Sequence, residues 1–229
     1  MQDYDPLNDG KSSLSVVQVC ADDLMVVNAA RVSFGTKSDA MDAKEIGIVN
    51  YLMRCRHGSP FEHNMFTFYV RCPIFVAREW FRHRIGSFNE YSARYKEMKP
   101  DFFFTPPESF RKRVGKPGHY TYEQIEDEGV IKFSQECQLK AARSAWGSYQ
   151  QQLEQGVAME VARNVLPVNI YTEFYWTVNA RALMNFLSLR NHEAALKEIR
   201  LYAECVEMLF GEAMPVTAGA FVENDRVAP

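Results

Sequence analysis

The sequence predicts an α+β fold in one domain over residues 1–229, with a mixed core of helices and strands. The length suits a single domain of generous size that buries a substantial core. Short runs of β-branched or alternating apolar residues predict strands, and longer segments with helical apolar spacing predict helices. Both kinds of segment are interspersed along the chain without an internal repeat.

The first elements follow a polar N-terminus. Residues 1–13 are polar and are expected to be loose. The run LSVVQVC at 14–20 is short and β-branched, which is typical of a strand. Apolar residues at helical spacing then predict a helix over 22–34.

A capped helix is predicted over 43–56. Asp42 and Glu45 form an Asp-x-x-Glu capping box at its start. Gly58 supplies the stop beyond its last turn.

A strand and a further helix come next. Phenylalanine and valine alternate on one face of 64–71, which predicts a strand. Pro73 then opens a helix through about Arg84, since proline is tolerated in a first helical turn. A turn is expected at Gly86-Ser87.

The middle of the chain combines a loop with a long helix. Residues 98–122 are rich in proline and contain the basic run RKR together with Gly115 and Gly118. This composition predicts a long excursion over the surface. One long helix is predicted from about 130 to 155, ended by Gly156.

The C-terminal part is predicted to be mainly helical. A short helix at 158–166 stops before Pro167. Residues 169–178 fit either a strand or the approach to a helix. Helices are predicted near 179–190 and 193–210.

Composition excludes several classes of protein. A formal net charge of −3 argues against attraction of the whole chain to nucleic acid, so no such partner is expected and any anion site must be local. The sequence has neither a run of roughly 18 apolar residues nor the pattern of a signal peptide, so we expect a cytoplasmic protein without a membrane partner. Five dispersed cysteines without CxxC indicate reduced thiols, and neither they nor the histidines show zinc-site spacing, so no metal is predicted.

The densest run of functional side chains is FRHRIGSFNEYSARY, residues 81–95. If the preceding helix continues into this run, Arg78 and Arg82 form one row and Glu79 and His83 form another. Guanidinium groups bind phosphate, imide and carboxylate edges through charge-assisted hydrogen bonds. Because two acids do not neutralise the four arginines between 78 and 94, the cluster predicts a nucleotide monophosphate or a dinucleotide cofactor as partner.

On these residues alone, three functions remain open. The chain could be an enzyme, a module that binds single-stranded nucleic acid through arginine and tyrosine, or a structural oligomer with a charged interface helix. A nucleophilic Ser92 is disfavoured, since it has no GxSxG elbow and His83 has no evident carboxylate partner. Ser92 is better interpreted as positioning a ligand oxygen.

The spacing Arg82-His83-Arg84-x7-Ser92 resembles the RHRx7S signature of the flavin-dependent thymidylate synthases. The resemblance covers nearly the whole chain, apart from the loop at 98–122 and both ends. Similar segments occur in the expected order, namely AARVSF (29–34), HGSPFEH (57–63), PIFVAREWFRHR (73–84), NEYSARY (89–95) and VARNVLPVNIYTEFYWTVNARALMNFLSLR (161–190).

The resemblance implies an α+β fold and methylation of dUMP at C5 to give dTMP. 5,10-Methylenetetrahydrofolate would donate the one-carbon unit, and tightly bound FAD, reduced by NADPH, would supply the hydride. A homotetramer would share its active sites between subunits. This chemistry needs no cysteine nucleophile, and the missing GxGxxG agrees with a family that does not bind FAD in a Rossmann fold.

The resemblance also implies which residues meet the two ligands. Flavin contacts would come from Ser59, Arg82, His83, Arg84, Glu90, Asn179, Ala180, Arg181 and Asn185, with His57 near the flavin ring. The nucleotide would lie against Glu79, Trp80, Phe81, Arg82, Glu90, Tyr91, Ser92, Ala93, Arg94, Arg163 and Arg190. Arg190 would be catalytic, since the matching arginine of the family favours ionisation at N3 of the uracil.

Glu79 departs from the family pattern, because many members carry glutamine there. A carboxylate cannot donate a hydrogen bond, and it repels a nucleotide phosphate unless a cation such as Arg78, Arg82 or His83 pairs with it. We therefore expect Glu79 to meet the nucleotide through its backbone or a bridging water.

One polar stripe is predicted on the helix near 179–190. Arg181, Asn185 and Ser188 occur at positions i, i+4 and i+7 among leucine, methionine and phenylalanine. Without the resemblance this stripe would be read as exposed. With it, the stripe is expected to face the flavin.

Overall fold

The computed structural model describes residues 3–116 and 119–229. These residues form both helices and strands, which confirms the predicted α+β class. The chain makes two compact units, the first from residues up to Cys72, Arg78–Glu90 and Glu173–Pro229, and the second from Pro73–Ala77 and Tyr91–Thr172. The single domain over 1–229 stays a prediction.

Six strands and eight α-helices lie within the described residues. The strands are β1 (Ser13–Cys20), β2 (Met65–Pro73), β3 (Ser87–Glu90), β4 (Arg111–Lys116), β5 (His119–Gln124) and β6 (Tyr171–Asn179). The helices are α1 (Asp23–Arg31), α2 (Ala43–Arg54), α3 (Ile74–Trp80), α4 (Glu128–Glu154), α5 (Met159–Ala162), α6 (Ala180–Arg190), α7 (Lys197–Ala213) and α8 (Pro215–Glu223). Over the described ranges, none of the helices is long and apolar enough to cross a bilayer.

A four-stranded sheet in the order β1-β2-β6-β3 organises the first unit. β1 is antiparallel to β2, and β3 is antiparallel to β6. Phe66 and Phe68 of β2 are fully buried, which confirms the predicted alternation of this strand. The ring centroid of Trp80 lies 4.8 Å from that of Phe186 and 5.3 Å from that of Trp176, so an aromatic core fixes the end of α3 against α6 and β6.

Aspartates begin several helices of the first unit. α1 and α2 start at the N-caps Asp22 and Asp42, whose carboxylates accept hydrogen bonds from backbone N–H groups of the first turn. Asp23 is buried and accepts from the backbone N–H of Val216 at 2.9 Å and of Thr217 at 2.8 Å. A carboxylate of α1 therefore satisfies the first turn of α8.

The second unit is built around α4. Asp127 caps its start, and Gly156 at φ 80° lies just beyond its end, which confirms the predicted stop. Phe102, Tyr149 and Ile170 are among the buried residues that form a small core in this unit.

The predicted surface excursion at 98–122 starts with buried residues, Met98, Phe102 and Phe103, and it leads into two paired strands that the sequence did not indicate. β4 and β5 pair antiparallel, and almost all of their side chains are exposed. The Arg113 guanidinium lies 4.3 Å from the centroid of the Tyr120 ring, so cation–π contact contributes to the pairing. Residues 117 and 118, and with them Gly118, lie outside the described residues.

The predicted stop of α2 is wrong. α2 ends at Arg54, and the residue in left-handed conformation after it is Arg56, at φ 57°. Gly58 has φ −74° and opens a 3-10 turn instead. The close approach of another side chain, described below, accounts for a glycine at this position.

The predicted length of α3 is also wrong, since the helix ends at Trp80 and not near Arg84. Burial of Trp80 in the aromatic core and the pairing of β3 with β6 carry the chain into an extended conformation. Arg82 and His83 therefore lie in a turn, and the predicted helical rows do not form. β3 was not predicted, because its four residues contain a single apolar side chain.

Further differences concern β6, α8 and the N-terminal residues. β6 resolves the alternatives for 169–178 in favour of a strand. α8 was not predicted, and its cap comes from α1, far away in sequence. Residues 4–13, expected to be loose, are tied by backbone hydrogen bonds between Tyr4 and Leu14 at 3.0 Å and by Asp5, which accepts from the N–H of Gly10 at 2.7 Å. Residues 1 and 2 lie outside the described residues.

Candidate active site

A cavity of about 910 Å³ opens in the first unit, a volume suited to a ligand of cofactor size. Its walls come from the turn after α3, from α6 and from the C-terminal residues of the chain. The lining residues are Glu62, Glu79, Arg82, His83, Arg84, Ile85, Asn179, Arg181, Ala182, Asn185, Leu189, Arg190, Ala228 and Pro229.

The predicted polar stripe on α6 is divided. Arg181 and Asn185 line the cavity. The hydroxyl of Ser188 instead lies 2.9 Å from the carbonyl oxygen of Met184 and 2.5 Å from that of Arg226, so these two acceptors share its single proton. Ser188 therefore anchors the C-terminal segment whose last residues reach the cavity.

Arg190, the last residue of α6, is held by three acceptors. Its Nε donates to Nε2 of His83 at 3.0 Å. Its Nη1 donates to Oε2 of Glu79 at 3.0 Å, and its Nη2 donates to the backbone oxygen of Glu79 at 3.2 Å. The Arg190 side chain is 17% exposed and that of Glu79 is 36% exposed, so the pair is partly shielded from water. The ion pair neutralises the Glu79 carboxylate, which was expected to repel a nucleotide phosphate. The cation is Arg190 and not Arg78, Arg82 or His83.

His83 is a neutral acceptor in this arrangement. Burial and the nearby guanidinium groups of Arg190 and Arg82 lower the pKa of His83 from 6.5 to about 4. Its ring also packs edge-on against Phe186, with centroids 5.0 Å apart. The imidazole therefore accepts from Arg190 at neutral pH and adds no charge to the cavity.

Arg181, near the start of α6, has two hydrogen-bond partners, and its guanidinium lies close to Gly58. Its Nη1 donates to Oε1 of Glu62 at 2.6 Å, and its Nε donates to the backbone oxygen of Pro229 at 2.8 Å. A Cβ at Gly58 would lie 2.3 Å from Arg181 Nε. Gly58 therefore leaves the space in which this guanidinium sits.

Arg82 and Arg84 are the cations available to an anion. Both are exposed and line the cavity, and within the described residues neither has an ion pair. The whole cavity carries four arginines against two glutamates, so it attracts negative charge. Asn179 lies at the same cavity and caps α6 by accepting from the N–H of Ala182 at 2.8 Å.

Three of the predicted contacts, Trp80, Phe81 and Ala180, do not line the cavity. Trp80 and Ala180 are fully buried, backbone included, so neither presents a surface to the cavity and their ligand contacts stay predictions. The Ala180 N–H already donates to the backbone oxygen of Asn64 at 2.8 Å. Phe81 packs edge-on against Phe174, with centroids 4.9 Å apart, and so supports the turn that carries Arg82 and His83.

Three other predicted residues of the first unit are exposed. His57 faces Tyr51 edge-on, with ring centroids 5.9 Å apart. Ser59 begins a 3-10 turn, and Glu90 is the last residue of β3. Their roles toward a flavin stay predictions.

The second unit holds the other predicted nucleotide contacts, Tyr91, Ser92, Ala93, Arg94 and Arg163. The Arg94 Nε pairs with Oε2 of Glu160 at 3.2 Å, with both side chains about half exposed. The Ser92 hydroxyl accepts from the N–H of Arg94 at a long 3.4 Å. These contacts order the turn after β3, and the nucleotide roles of its residues stay predictions.

Sequence reasoning missed part of the cavity wall. Leu189 continues the spacing of Arg181 and Asn185 along α6, so the helical period could have found it. Ala228 and Pro229 carried no signal, since their place depends on the path of the chain after α8. Among residues 3–116 and 119–229, no group of histidine, cysteine or carboxylate side chains is arranged to hold a metal ion.

Comparison with known proteins supplies a family for this geometry. Residues 15–216 match the model of the family described as thymidylate synthase complementing protein. The chain is 45% identical over 213 residues to the flavin-dependent thymidylate synthase of Thermosipho africanus, covering 93% of this chain and 92% of that protein. It is 44% identical over 244 residues to the enzyme of the same name from Streptomyces coelicolor, covering 98% and 97%.

Solved structures show the same fold. The UMP/dUMP methylase PolB from Streptomyces cacaoi, bound with 5-Br dUMP, matches with a TM-score of 0.88 at 42% identity, covering 95% of this chain and 97% of that one. Its complex with 5-Br UMP matches with a TM-score of 0.87, covering 95% and 96%.

Proposed function

The chain belongs to the family of flavin-dependent thymidylate synthases, and from this premise we propose the full reaction that it catalyses. It converts dUMP to dTMP, with 5,10-methylenetetrahydrofolate as one-carbon donor, bound FAD as hydride carrier and NADPH as reductant. The observation that carries this proposal is the cationic cavity, in which the arginines of the RHRx7S signature meet Arg181 and Arg190.

The residues of the cavity fit a flavin dinucleotide. Arg82 and Arg84 are exposed cations without an ion pair in the described chain, and they suit the negative diphosphate. Ile85 is 72% exposed and Leu189 is 55% exposed, so apolar surface is available for a planar ring. Bound FAD would supply hydride chemistry that no protein side chain provides.

Arg190 would act on the nucleotide. Uracil is activated toward methylation at C5 when negative charge on its ring is stabilised. A guanidinium that is already fixed can stabilise such charge without reorganising during the reaction. Arg190 has this property, since it is anchored at its Nε and at both terminal nitrogens.

We assign the remaining contacts by the same proposal. The flavin would be held by Ser59, Arg82, His83, Arg84, Glu90, Asn179, Ala180, Arg181 and Asn185, with His57 near its ring. The nucleotide would be held by Glu79, Trp80, Phe81, Arg82, Glu90, Tyr91, Ser92, Ala93, Arg94, Arg163 and Arg190. Ser92 would position a nucleotide oxygen.

The assembly and location belong to the same proposal. A homotetramer with active sites shared between subunits is supported by the exposed apolar side chains Ile85 and Leu189 at the cavity. A cytoplasmic location is supported by the five free cysteines. Light scattering coupled to gel filtration tests the assembly: a monomer would contradict it.

Tritium release tests the reaction. Protein loaded with FAD is mixed with dUMP labelled at C5, NADPH and methylenetetrahydrofolate, and tritium in water is counted. We expect release that depends on all four compounds, together with dTMP. Release that persists without flavin, or protein that binds dUMP but forms no dTMP, would contradict the proposal.

A further inference from the structure

Glu79 accepts two hydrogen bonds from Arg190, one at its side chain and one at its backbone. Oε2 and the backbone oxygen of Glu79 accept from the two terminal nitrogens of the guanidinium, at 3.0 Å and 3.2 Å. His83 accepts from the third nitrogen at 3.0 Å. A guanidinium has five N–H groups, so two remain for a ligand, one on each terminal nitrogen.

The hydrogen bond from Arg190 to the Glu79 backbone oxygen follows from the fold. Glu79 lies in the last turn of α3, where carbonyl oxygens have no partner within the helix. Arg190 caps such a carbonyl and so completes the end of α3. The hydrogen bond to the Glu79 carboxylate depends instead on the residue type, because a side chain without an acceptor at position 79 could not form it.

We propose that the Glu79 carboxylate is the positioning residue of Arg190, fixing the guanidinium so that its two remaining N–H groups are ready for the negatively charged edge of the pyrimidine. This inference rests on the proposed function. It gives Glu79 a task that needs no direct contact with the nucleotide. It stands beside the nucleotide contact proposed for Glu79 above, which stays a prediction.

Two physical effects make the task useful. An arginine side chain has considerable rotamer freedom, and fixing it costs conformational entropy. If Glu79 fixes Arg190 before the ligand arrives, this cost no longer weakens ligand binding. The carboxylate also offsets the charge of Arg190, which contacts His83 and lines the same cavity as Arg82. Without the carboxylate, we expect repulsion among the cations of the cavity to displace Arg190 from His83.

A glutamine at position 79 separates these effects. Its side-chain oxygen still accepts from Arg190, but it carries no charge. Glu79→Ala and Glu79→Met remove the acceptor, and methionine keeps most of the side-chain volume. If the side-chain hydrogen bond positions Arg190, Glu79→Gln keeps the dUMP affinity that Glu79→Ala and Glu79→Met lose.

The first readout needs neither flavin nor nucleotide. The imidazole of His83 is titrated by NMR in ligand-free protein of each variant. Loss of the Glu79 charge alone would not raise the pKa of His83, because removing an anion does not favour the protonated imidazole. Departure of Arg190 would raise it, since a cation in contact with the ring is gone.

We therefore expect the pKa of His83 to rise above its wild-type value of about 4 in Glu79→Ala and Glu79→Met, while burial keeps it below 6.5, and not to rise in Glu79→Gln. A pKa no higher than that of the wild type in both Glu79→Ala and Glu79→Met would mean that Arg190 stays in place without the carboxylate, and would overturn the inference. Because the measurement uses ligand-free protein, it stands even if the wild type makes no dTMP.

The second readout is dUMP binding to the flavin-loaded protein by calorimetry. We expect a roughly tenfold weaker Kd in Glu79→Ala and Glu79→Met, and a change within about threefold in Glu79→Gln. An unchanged Kd in all variants would overturn the role in binding. Wild-type protein that fails to bind dUMP would instead count against the proposed function.

Discussion

The Nε of Arg190 lies 3.0 Å from Nε2 of His83, although 107 residues separate the two in sequence. A histidine that accepts from an arginine must be neutral, and burial together with Arg190 and Arg82 lowers its pKa to about 4. The contact joins the RHRx7S signature to the end of α6 and makes the charge state of one residue depend on the other.

The first prediction concerns stability and pH. Between pH 6.5 and about 4, the unfolded chain binds a proton at His83 and the folded chain does not. Stability from this residue is therefore fully present above pH 6.5 and is lost as the pH falls toward 4. Urea unfolding across this range should show a smaller pH dependence in His83→Gln, which keeps an acceptor but does not titrate. Identical slopes in the two proteins would contradict the prediction.

A methyl group at Gly58 should displace Arg181. Its Cβ would come within 2.3 Å of Arg181 Nε, so the guanidinium must leave its place beside Glu62. Because a charge-assisted hydrogen bond contributes about 1.5–3 kcal/mol, we expect Gly58→Ala to weaken FAD binding roughly tenfold or more. Quenching of flavin fluorescence measures this.

Gly47→Ala is the matched control for this change. Gly47 lies within α2, and a Cβ there meets nothing within 4 Å. We expect FAD affinity to stay as in the wild type and the helix to gain about 0.5–1 kcal/mol. Equal loss of affinity in both variants would show that the effect does not come from Arg181.

Arg190→Ala should cut turnover and leave the fold intact. Removal of a fixed donor from developing negative charge typically lowers kcat by about 10²–10³-fold. The tritium assay measures the loss, and circular dichroism checks the fold. Arg54→Ala, which removes an exposed arginine from the last turn of α2, is the control. Wild-type turnover in Arg190→Ala would defeat the catalytic assignment.

Asp23 should be worth more to stability than its neighbour Asp22. Asp23→Ala leaves the N–H groups of Val216 and Thr217 without their acceptor in a buried place, which destabilises by about 1–3 kcal/mol. Asp22→Ala removes an exposed cap of α1 and should cost about 1 kcal/mol. Chemical denaturation compares the two. The reverse order would show that α8 does not depend on this contact.

Local signals predicted much of the fold. The cap at Asp42, the left-handed Gly156 and the alternation of β2 are all set by nearby residues, and each was found from sequence. β3 and α8 were missed because each depends on distant residues. β3 is held by its pairing with β6, and α8 is capped by Asp23.

The cavity shows the same division. Arg82, His83, Arg84 and Arg181 were selected by motif and resemblance, and all four line it. The hydrogen bonds of Arg190 with Glu79 and His83 could not be predicted. The predicted helix through Arg84 would have pointed His83 in a different direction. The end of α3 at Trp80, set by aromatic packing, decides which side chains meet.

The position of β6 between β2 and β3 fixes when the cavity can form on the ribosome. β3 pairs with β6, and about 80 residues lie between the two strands in sequence. At roughly 5–20 residues per second, translation of that interval takes several seconds. Throughout that time the RHR turn has been synthesised but lacks the strand that holds it and the helix that supplies Arg190. This protein therefore completes its ligand cavity only after β6 and α6 have been synthesised.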